Sequence, residues 1–75
     1  MEPELQTFLD RLAEVLEVPS IGPADDFRSV PLWSSLVGFS VMVMLEQQYG
    51  RQITAEDIRS SKTVAELARL AGVAA

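Results

Sequence analysis

The sequence predicts an all-α fold: a four-helix bundle with a short third helix and a long loop between helices 1 and 2. Three observations predict it. Apolar residues recur at helical spacing in two long segments, capping patterns precede two short segments, and prolines and glycines gather after the first segment. The chain has 75 residues and no cysteine, so we expect a single domain over residues 1–75, stabilised by packing without disulfides.

The first helix is predicted over residues 3–17. Its apolar residues follow the i, i+3, i+4, i+7, i+11 spacing of one helical face: Leu5, Phe8, Leu9, Leu12 and Leu16. Pro3 suits the first helical turn, where no backbone N–H is needed. Pro19 is expected to end the helix.

Residues 18–34 are predicted to form a loop, because three prolines and one glycine fall within them. Such a loop is long for a small domain, and long loops are often functional. We expect Ile21 and Phe27 to attach it to the core, with a short turn possible at Pro23–Asp26.

Helix 2 is predicted from Ser35 to Tyr49, with Gly50 as its stop. At about 100° per residue, one face collects Gly38, Val41, Met42, Leu45 and Tyr49, which we assign to the core. Other apolar residues surround the rest of the helix: Leu36, Val37, Phe39, Val43 and Met44. Two interpretations remain open for these: a surface that binds partner proteins, or packing that the sequence does not show.

Two short helices complete the predicted bundle. Thr54 is placed to cap a third helix that runs through Arg59. The segment "TVAE", Thr63–Glu66, fits a capping box for a fourth helix that ends near Gly72. Leu67 and Leu70 should then face the core.

Composition excludes several functions. Without histidine or cysteine, the chain lacks imidazole bases, thiol nucleophiles and the ligands of ordinary zinc sites, so we expect no catalytic site and no metal. The net charge is −5, and residues 1–34 hold seven acids against two bases. This argues against nucleic acid and anionic membranes as partners. The start of the chain is acidic, unlike a signal peptide, and no apolar run could span a bilayer, so we expect no membrane insertion. The lack of cysteine and of a signal peptide favours a cytoplasmic protein, and we expect it to be a monomer.

The segment "PLWSSLVGFS" places two serines at the start of helix 2. Ser34 fits the N-cap, and Ser35 would be the first helical residue. Free N–H groups and the positive end of the helix dipole make Ser35 a good site for a phosphodiester-linked group. From the residues alone, simple capping remains the plainer interpretation. A hydrolase that uses Ser35 as its nucleophile would lack a nearby base.

The full register resembles the acyl carrier protein family. In that family a loop aromatic is followed eight residues later by the serine of "Asp-Ser-Leu". Here Ser35 follows Phe27 by eight positions, and Trp33, Ser34 and Leu36 flank it. The stretch "LVGFSVMVMLEQQYG" resembles the family's second helix, and "ITAEDI" and "KTVAEL" resemble the third and fourth.

The resemblance implies a 4′-phosphopantetheine arm on Ser35, attached from coenzyme A by a phosphopantetheinyl transferase. The thiol of the arm would hold acyl groups as thioesters and present them to acyl-loading and acyl-processing enzymes of fatty acid, polyketide or other specialised biosynthesis. An apolar groove for the acyl chain is then expected near Phe27, Val41, Leu45, Tyr49, Ile53 and Ile58. The alternative is a carrier-like module that is not modified and acts only by binding proteins.

The chain departs from the family pattern in three ways. Ser34 stands where the family usually has aspartate, which puts modification by generic transferases in question. Helix 2, usually acidic, keeps one acid, Glu46. Trp33 with the preceding Pro-Leu resembles carriers outside primary fatty acid synthesis.

Overall fold

Four α-helices and one 3-10 helix make up the computed structural model, which describes residues 3–73. The helices are α1 (Pro3–Leu16), α2 (Ser35–Tyr49), α3 (Ala55–Ser60) and α4 (Val64–Leu70). The 3-10 helix, Phe27–Ser29, lies in the long loop between α1 and α2. No strand occurs among residues 3–73, so the predicted all-α bundle is confirmed.

One cluster of buried side chains joins all four helices. From α1, Phe8, Leu12 and Leu16 are completely buried, which is the face that the spacing predicts. From α2, Gly38, Val41 and Leu45 are buried. The cluster is completed from the loop, α3, α4 and the residues after α4 by Phe27, Ile58, Val64, Leu67, Ala68, Ala71 and Val73. Leu70, predicted to face the core, is half-buried and packs against its edge.

The end of α1 is set by backbone geometry before Pro19 is reached. Glu17 adopts a left-handed conformation with φ 58°. Its N–H donates to the carbonyl of Glu14 at 3.2 Å, and the N–H of Val18 donates to the carbonyl of Ala13 at 3.0 Å. This is the Schellman arrangement that closes many helices, although glycine usually occupies the left-handed position. The helix therefore ends one residue earlier than predicted.

Replacing Glu17 with glycine should raise the free energy of unfolding by about 0.5–1 kcal/mol, because glycine has no Cβ to clash in the left-handed region. The matched control is Glu14→Gly in the helix interior, which should lower the free energy of unfolding by about 1 kcal/mol. Urea denaturation followed by circular dichroism measures both. Equal destabilisation by the two substitutions would contradict the role assigned to the left-handed turn.

The start of α4 is joined to the long loop. The N–H groups of Val64 and Ala65 donate to the carbonyls of Asp25 and Pro23, at 3.0 and 2.8 Å. The predicted capping box is present, since Thr63 and Glu66 cap each other's backbone N–H groups. The N–H groups of Thr63 and Lys62 hold the pKa of the Glu66 carboxyl below its ordinary value. These bonds fix the loop that leads to the start of α2.

Thr54 caps α3 as predicted. Its hydroxyl accepts from the N–H of Asp57 at 3.1 Å, and the Asp57 carboxylate accepts from the N–H of Thr54 at 3.0 Å. The reciprocal bonds satisfy the first turn of a helix that has only six residues. These bonds fix the start of α3 at Ala55.

Candidate functional site

The two serines at the start of α2 have different roles. Ser34 is extended, with φ −160° and ψ 172°, and its hydroxyl accepts from the N–H of Val37 at 3.2 Å. It is therefore the N-cap, as predicted. Ser35 is the first helical residue and is exposed. Its hydroxyl makes no hydrogen bond to another described residue, so it is available for chemistry.

Ser35 also lies at the edge of a cavity of about 470 Å³ between α2, α3 and the long loop. That volume is within the range of about 300–1,000 Å³ found for small-molecule sites. Most of its lining is apolar or aromatic, with two arginines: Arg28, Trp33, Ser35, Gly38, Phe39, Met42, Ala55, Ile58 and Arg59. A group attached to the Ser35 hydroxyl would begin at the opening of this cavity.

One wall of the cavity is the indole of Trp33. The ring packs edge-on against buried Phe27, with centroids 5.6 Å apart and planes at 68°. It also lies over Gly38, where a Cβ would come within 3.3 Å of the indole Cζ2 and Cη2 atoms. The absence of a side chain at position 38 therefore lets Trp33 pack directly against α2. The sequence analysis did not predict this contact, although a glycine inside a helix, where it is usually unfavourable, could have indicated it.

The predicted acyl groove and the observed cavity share Ile58. Phe27, Val41 and Leu45 are completely buried in the core. Tyr49 lies at the other end of α2, where it packs against Phe8 with centroids 5.6 Å apart, and half-buried Ile53 packs against the core. Gly38, Met42 and Ala55 line the cavity but were not predicted for the groove. The cavity beside Ser35 therefore lies along the first half of α2. Val41 and Leu45 do not line it, because their side chains are buried in the core.

Three large apolar side chains are exposed around the site. Leu36 is 74% exposed, Phe39 59% and Leu32 53%. Leu36 and Phe39 belong to the predicted partner surface, whereas Leu32 was not included in it. The other members of that surface, Val37, Val43 and Met44, are half-buried. Val37 and Met44 pack against the core, so the freely accessible part of the surface lies in the first two turns of α2 and the loop before it.

The charged groups of the cavity are two arginines. Arg59 pairs with Glu56 at 2.9 Å, and this hydrogen bond and charge hold the pKa of the Glu56 carboxyl below its ordinary value. Arg28 is half-buried, donates to the carbonyl of Arg59 at 3.3 Å and lies 5.6 Å from the centre of the Phe27 ring. The surroundings of Ser35 are therefore apolar and locally cationic, although the chain as a whole is acidic.

Comparison with known protein families explains this arrangement. The family model described as the phosphopantetheine attachment site matches residues 6–71, which is most of the chain. The chain belongs to this family. Comparison with curated proteins and with solved structures gives no significant match. The resemblance to acyl carrier proteins is thus confirmed at the level of the family.

Domains of this family bind 4′-phosphopantetheine covalently and act as carriers without catalytic activity. A carrier domain interacts with a phosphopantetheinyl transferase and with acyl-processing enzymes. The geometry at Ser35 fits such a group, since the hydroxyl is exposed and the first turn of α2 offers N–H groups to a phosphodiester. When bound, the arm supplies the thiol that the chain itself lacks.

Two further observations concern residues 3–73. None of the helices there has the length and apolar character needed to cross a membrane. Within the same residues, no group of three or more acidic, histidine or cysteine side chains is arranged to hold a metal ion.

Proposed function

We propose that Ser35 carries the 4′-phosphopantetheine arm and that the domain carries acyl groups in a pathway other than primary fatty acid synthesis. The observation that supports Ser35 is its position: an exposed first helical residue at the edge of the cavity, beside a serine whose hydroxyl already caps the helix. In the transfer, the Ser35 oxygen bonds to the phosphorus of coenzyme A that bears the pantetheine, and adenosine 3′,5′-bisphosphate leaves. The transferase accepts the serine proton.

The acyl group is proposed to enter the cavity between α2 and α3. Its apolar walls of Trp33, Met42 and Ile58 remove hydrocarbon from water, at about 25 cal/mol for each Å² that is buried. Trp33 forms one wall and is held in place by Phe27 and by the backbone at Gly38. The proposed groove therefore starts at the attachment residue itself.

Partner enzymes are proposed to dock on the exposed apolar residues around Ser35: Leu32, Leu36 and Phe39. Val37, Val43 and Met44 would form the half-buried margin of that surface. In the described part of α2, Glu46 is the one acidic residue and lies in the last turn, far along the helix from Ser35. Contact with a partner near the arm would then depend on burial of apolar area more than on ion pairs, which contribute about 0.2–1 kcal/mol each when exposed.

A specialised pathway is proposed because of the residues before the attachment serine. Trp33, preceded by Pro31 and Leu32, resembles carriers outside primary fatty acid synthesis, and Trp33 forms the cavity wall. We further propose that the carrier acts as a monomer of one domain.

Intact mass after incubation with coenzyme A and a transferase of broad range tests the proposed function. We expect the mass of one phosphopantetheine to be added, and peptide mapping to place it on Ser35. A protein that stays unmodified with several transferases would favour the alternative, a carrier-like module that only binds proteins.

Replacing Ser34 with aspartate should speed this modification. An aspartate can accept from the N–H of Val37 as the serine does, and its charge suits the positive end of the α2 dipole. It also restores the residue that the family usually has before the attachment serine. The measurement is the initial rate of loading, with Ser40→Asp as a control that adds the same charge six residues further along α2. Unchanged or slower loading would mean that Ser34 is neutral or suits a dedicated transferase.

A further inference from the structure

The cavity beside Ser35 contains a cation whose partner is not found among the described residues. Arg28 lines the cavity, and no carboxylate of residues 3–73 lies within ion-pair distance of its guanidinium. The guanidinium is nevertheless held in place, by the carbonyl of Arg59 at 3.3 Å and by the Phe27 ring at 5.6 Å. One hydrogen bond leaves most of its five N–H donors available.

The carboxylates on the neighbouring elements are already engaged. Asp26 accepts from the backbone N–H of Arg28 at 2.9 Å, and Asp25 accepts from the N–H of Gly22 at 2.7 Å. On α3, Glu56 pairs with Arg59 and Asp57 caps the helix. Arg28 is therefore a cation of this cavity with free hydrogen-bonding capacity, and no carboxylate of residues 3–73 lies within ion-pair distance of its guanidinium.

We infer that the cavity receives acyl groups that end in a carboxylate, the monothioesters of short dicarboxylic acids, and that Arg28 binds that carboxylate. This inference deepens the proposed function and rests on it. A purely hydrocarbon chain would remove water from a half-buried guanidinium and return no hydrogen bond, which is costly. A terminal carboxylate matches the planar fork of arginine, and such charge-assisted pairs are the stronger hydrogen bonds.

The phosphodiester of the arm is the other anion near this cavity. It would be attached at the first residue of α2, where backbone N–H groups and the helix dipole already favour a phosphate. Arg28 belongs to the 3-10 helix of the long loop, so it borders the cavity from a different element. If Arg28 binds the terminal carboxylate of the acyl group, the phosphodiester still has the backbone N–H groups at the start of α2 as its donors.

The test compares two acyl groups of the same shape on the arm: glutaryl, which ends in a carboxylate, and 5-methylhexanoyl, which ends in two methyl groups. Each is loaded from its coenzyme A thioester, and intact mass verifies loading. Neutral hydroxylamine then cleaves the thioester on the protein and, separately, the same thioester on free pantetheine. The rate for free pantetheine is divided by the rate for the protein. The ratio is the protection that the protein gives the thioester.

In Arg28→Gln, protection of the glutaryl thioester should fall about fivefold, the effect of losing one partly exposed charge pair. Protection of the 5-methylhexanoyl thioester should stay the same or rise. The matched control is Arg69→Gln, which removes an exposed arginine of α4 and should change neither value. Unchanged glutaryl protection in Arg28→Gln, or equal losses for both acyl groups, would overturn the inference.

The NMR signal of the Arg28 side chain shows whether Arg28 binds the acyl group or the phosphodiester of the arm. It should move between the free-thiol form and the glutaryl form, and stay in place between the unmodified and free-thiol forms. A signal that moves when the arm is attached, and does not move further when glutaryl is added, would show that Arg28 binds the phosphodiester. That result would overturn the inference.

If mass shows that Ser35 is not loaded, the proposed function fails independently of the cargo. Free glutaryl-pantetheine and 5-methylhexanoyl-pantetheine are then titrated against the unmodified protein. If the Arg28 signal moves with glutaryl-pantetheine and not with 5-methylhexanoyl-pantetheine, the carboxylate site is still supported. If the signal does not move with glutaryl-pantetheine, the carboxylate site is rejected.

Discussion

Ser35→Ala will abolish attachment of phosphopantetheine and leave the fold unchanged. The substitution removes the oxygen that bonds to phosphorus, so no mass should be added. Alanine is tolerated at the first helical position, and Ser34 still caps α2 through its bond to the N–H of Val37. Intact mass measures loading, and urea denaturation should give the free energy of unfolding of the original protein.

Ser34→Ala is the matched control for that experiment, because it removes the neighbouring hydroxyl. It should lower the free energy of unfolding by about 1 kcal/mol through loss of the cap, while Ser35 still takes the arm. We therefore expect Ser35→Ala to remove loading without loss of stability, and Ser34→Ala to lower stability without loss of loading. Loading that persists in Ser35→Ala, or an adduct mapped to Ser34, would reject the assignment of the attachment residue.

Phe27→Ala should have the largest effect on stability among the residues around the site. The ring is completely buried in the core cluster and supports Trp33 edge-on at 5.6 Å. Truncation of a buried phenylalanine costs about 3–5 kcal/mol, against a total stability of about 5–15 kcal/mol for ordinary domains. We expect a strongly lowered denaturation midpoint, together with a shift in the fluorescence of Trp33, the one tryptophan of the chain.

Phe39→Ala removes the same ring from an exposed position, where 59% of the residue is accessible. Its free energy of unfolding should stay within about 0.5 kcal/mol of the original, while loading by the transferase should slow if this side chain belongs to the docking surface. Equal losses of stability in the two variants would contradict the assignment of Phe27 to the core and Phe39 to the surface.

The helices could be predicted because their signals are local. The spacing of Leu5, Phe8 and Leu12 gives the buried face of α1, and the capping residues Thr54 and Thr63 mark the starts of α3 and α4. Such patterns depend on residues three or four positions apart, which contact each other in any helix. The end of α1 was placed one residue late, because a glutamate rather than a glycine adopts the left-handed conformation there.

The position of the cavity beside Ser35 could not be predicted in the same way. A helical wheel assigned Val41, Leu45 and Tyr49 to the core, because it sorts residues by direction and contains no neighbouring helix. The family resemblance then placed the acyl groove beside the same residues. In the fold, Val41 and Leu45 fill the core completely. The cavity lies where Trp33 packs over Gly38 and where α3 lies beside α2. The contact between α2 and α3 joins separate segments, so the spacing of residues within one helix does not predict it.

By itself, the sequence determined the all-α fold, the capping role of Ser34, the register from Phe27 to Ser35 and the family. Each depends on short-range spacing or on the order of residues, which the chain carries in any conformation. Only the tertiary structure decided that Ser35 opens onto a cavity and that Arg28 points its charge there without a carboxylate partner among the described residues. The loop and α3 are about 30 residues apart in the sequence and meet only in the folded chain, so the volume and charge of the space between them are properties of the packed molecule.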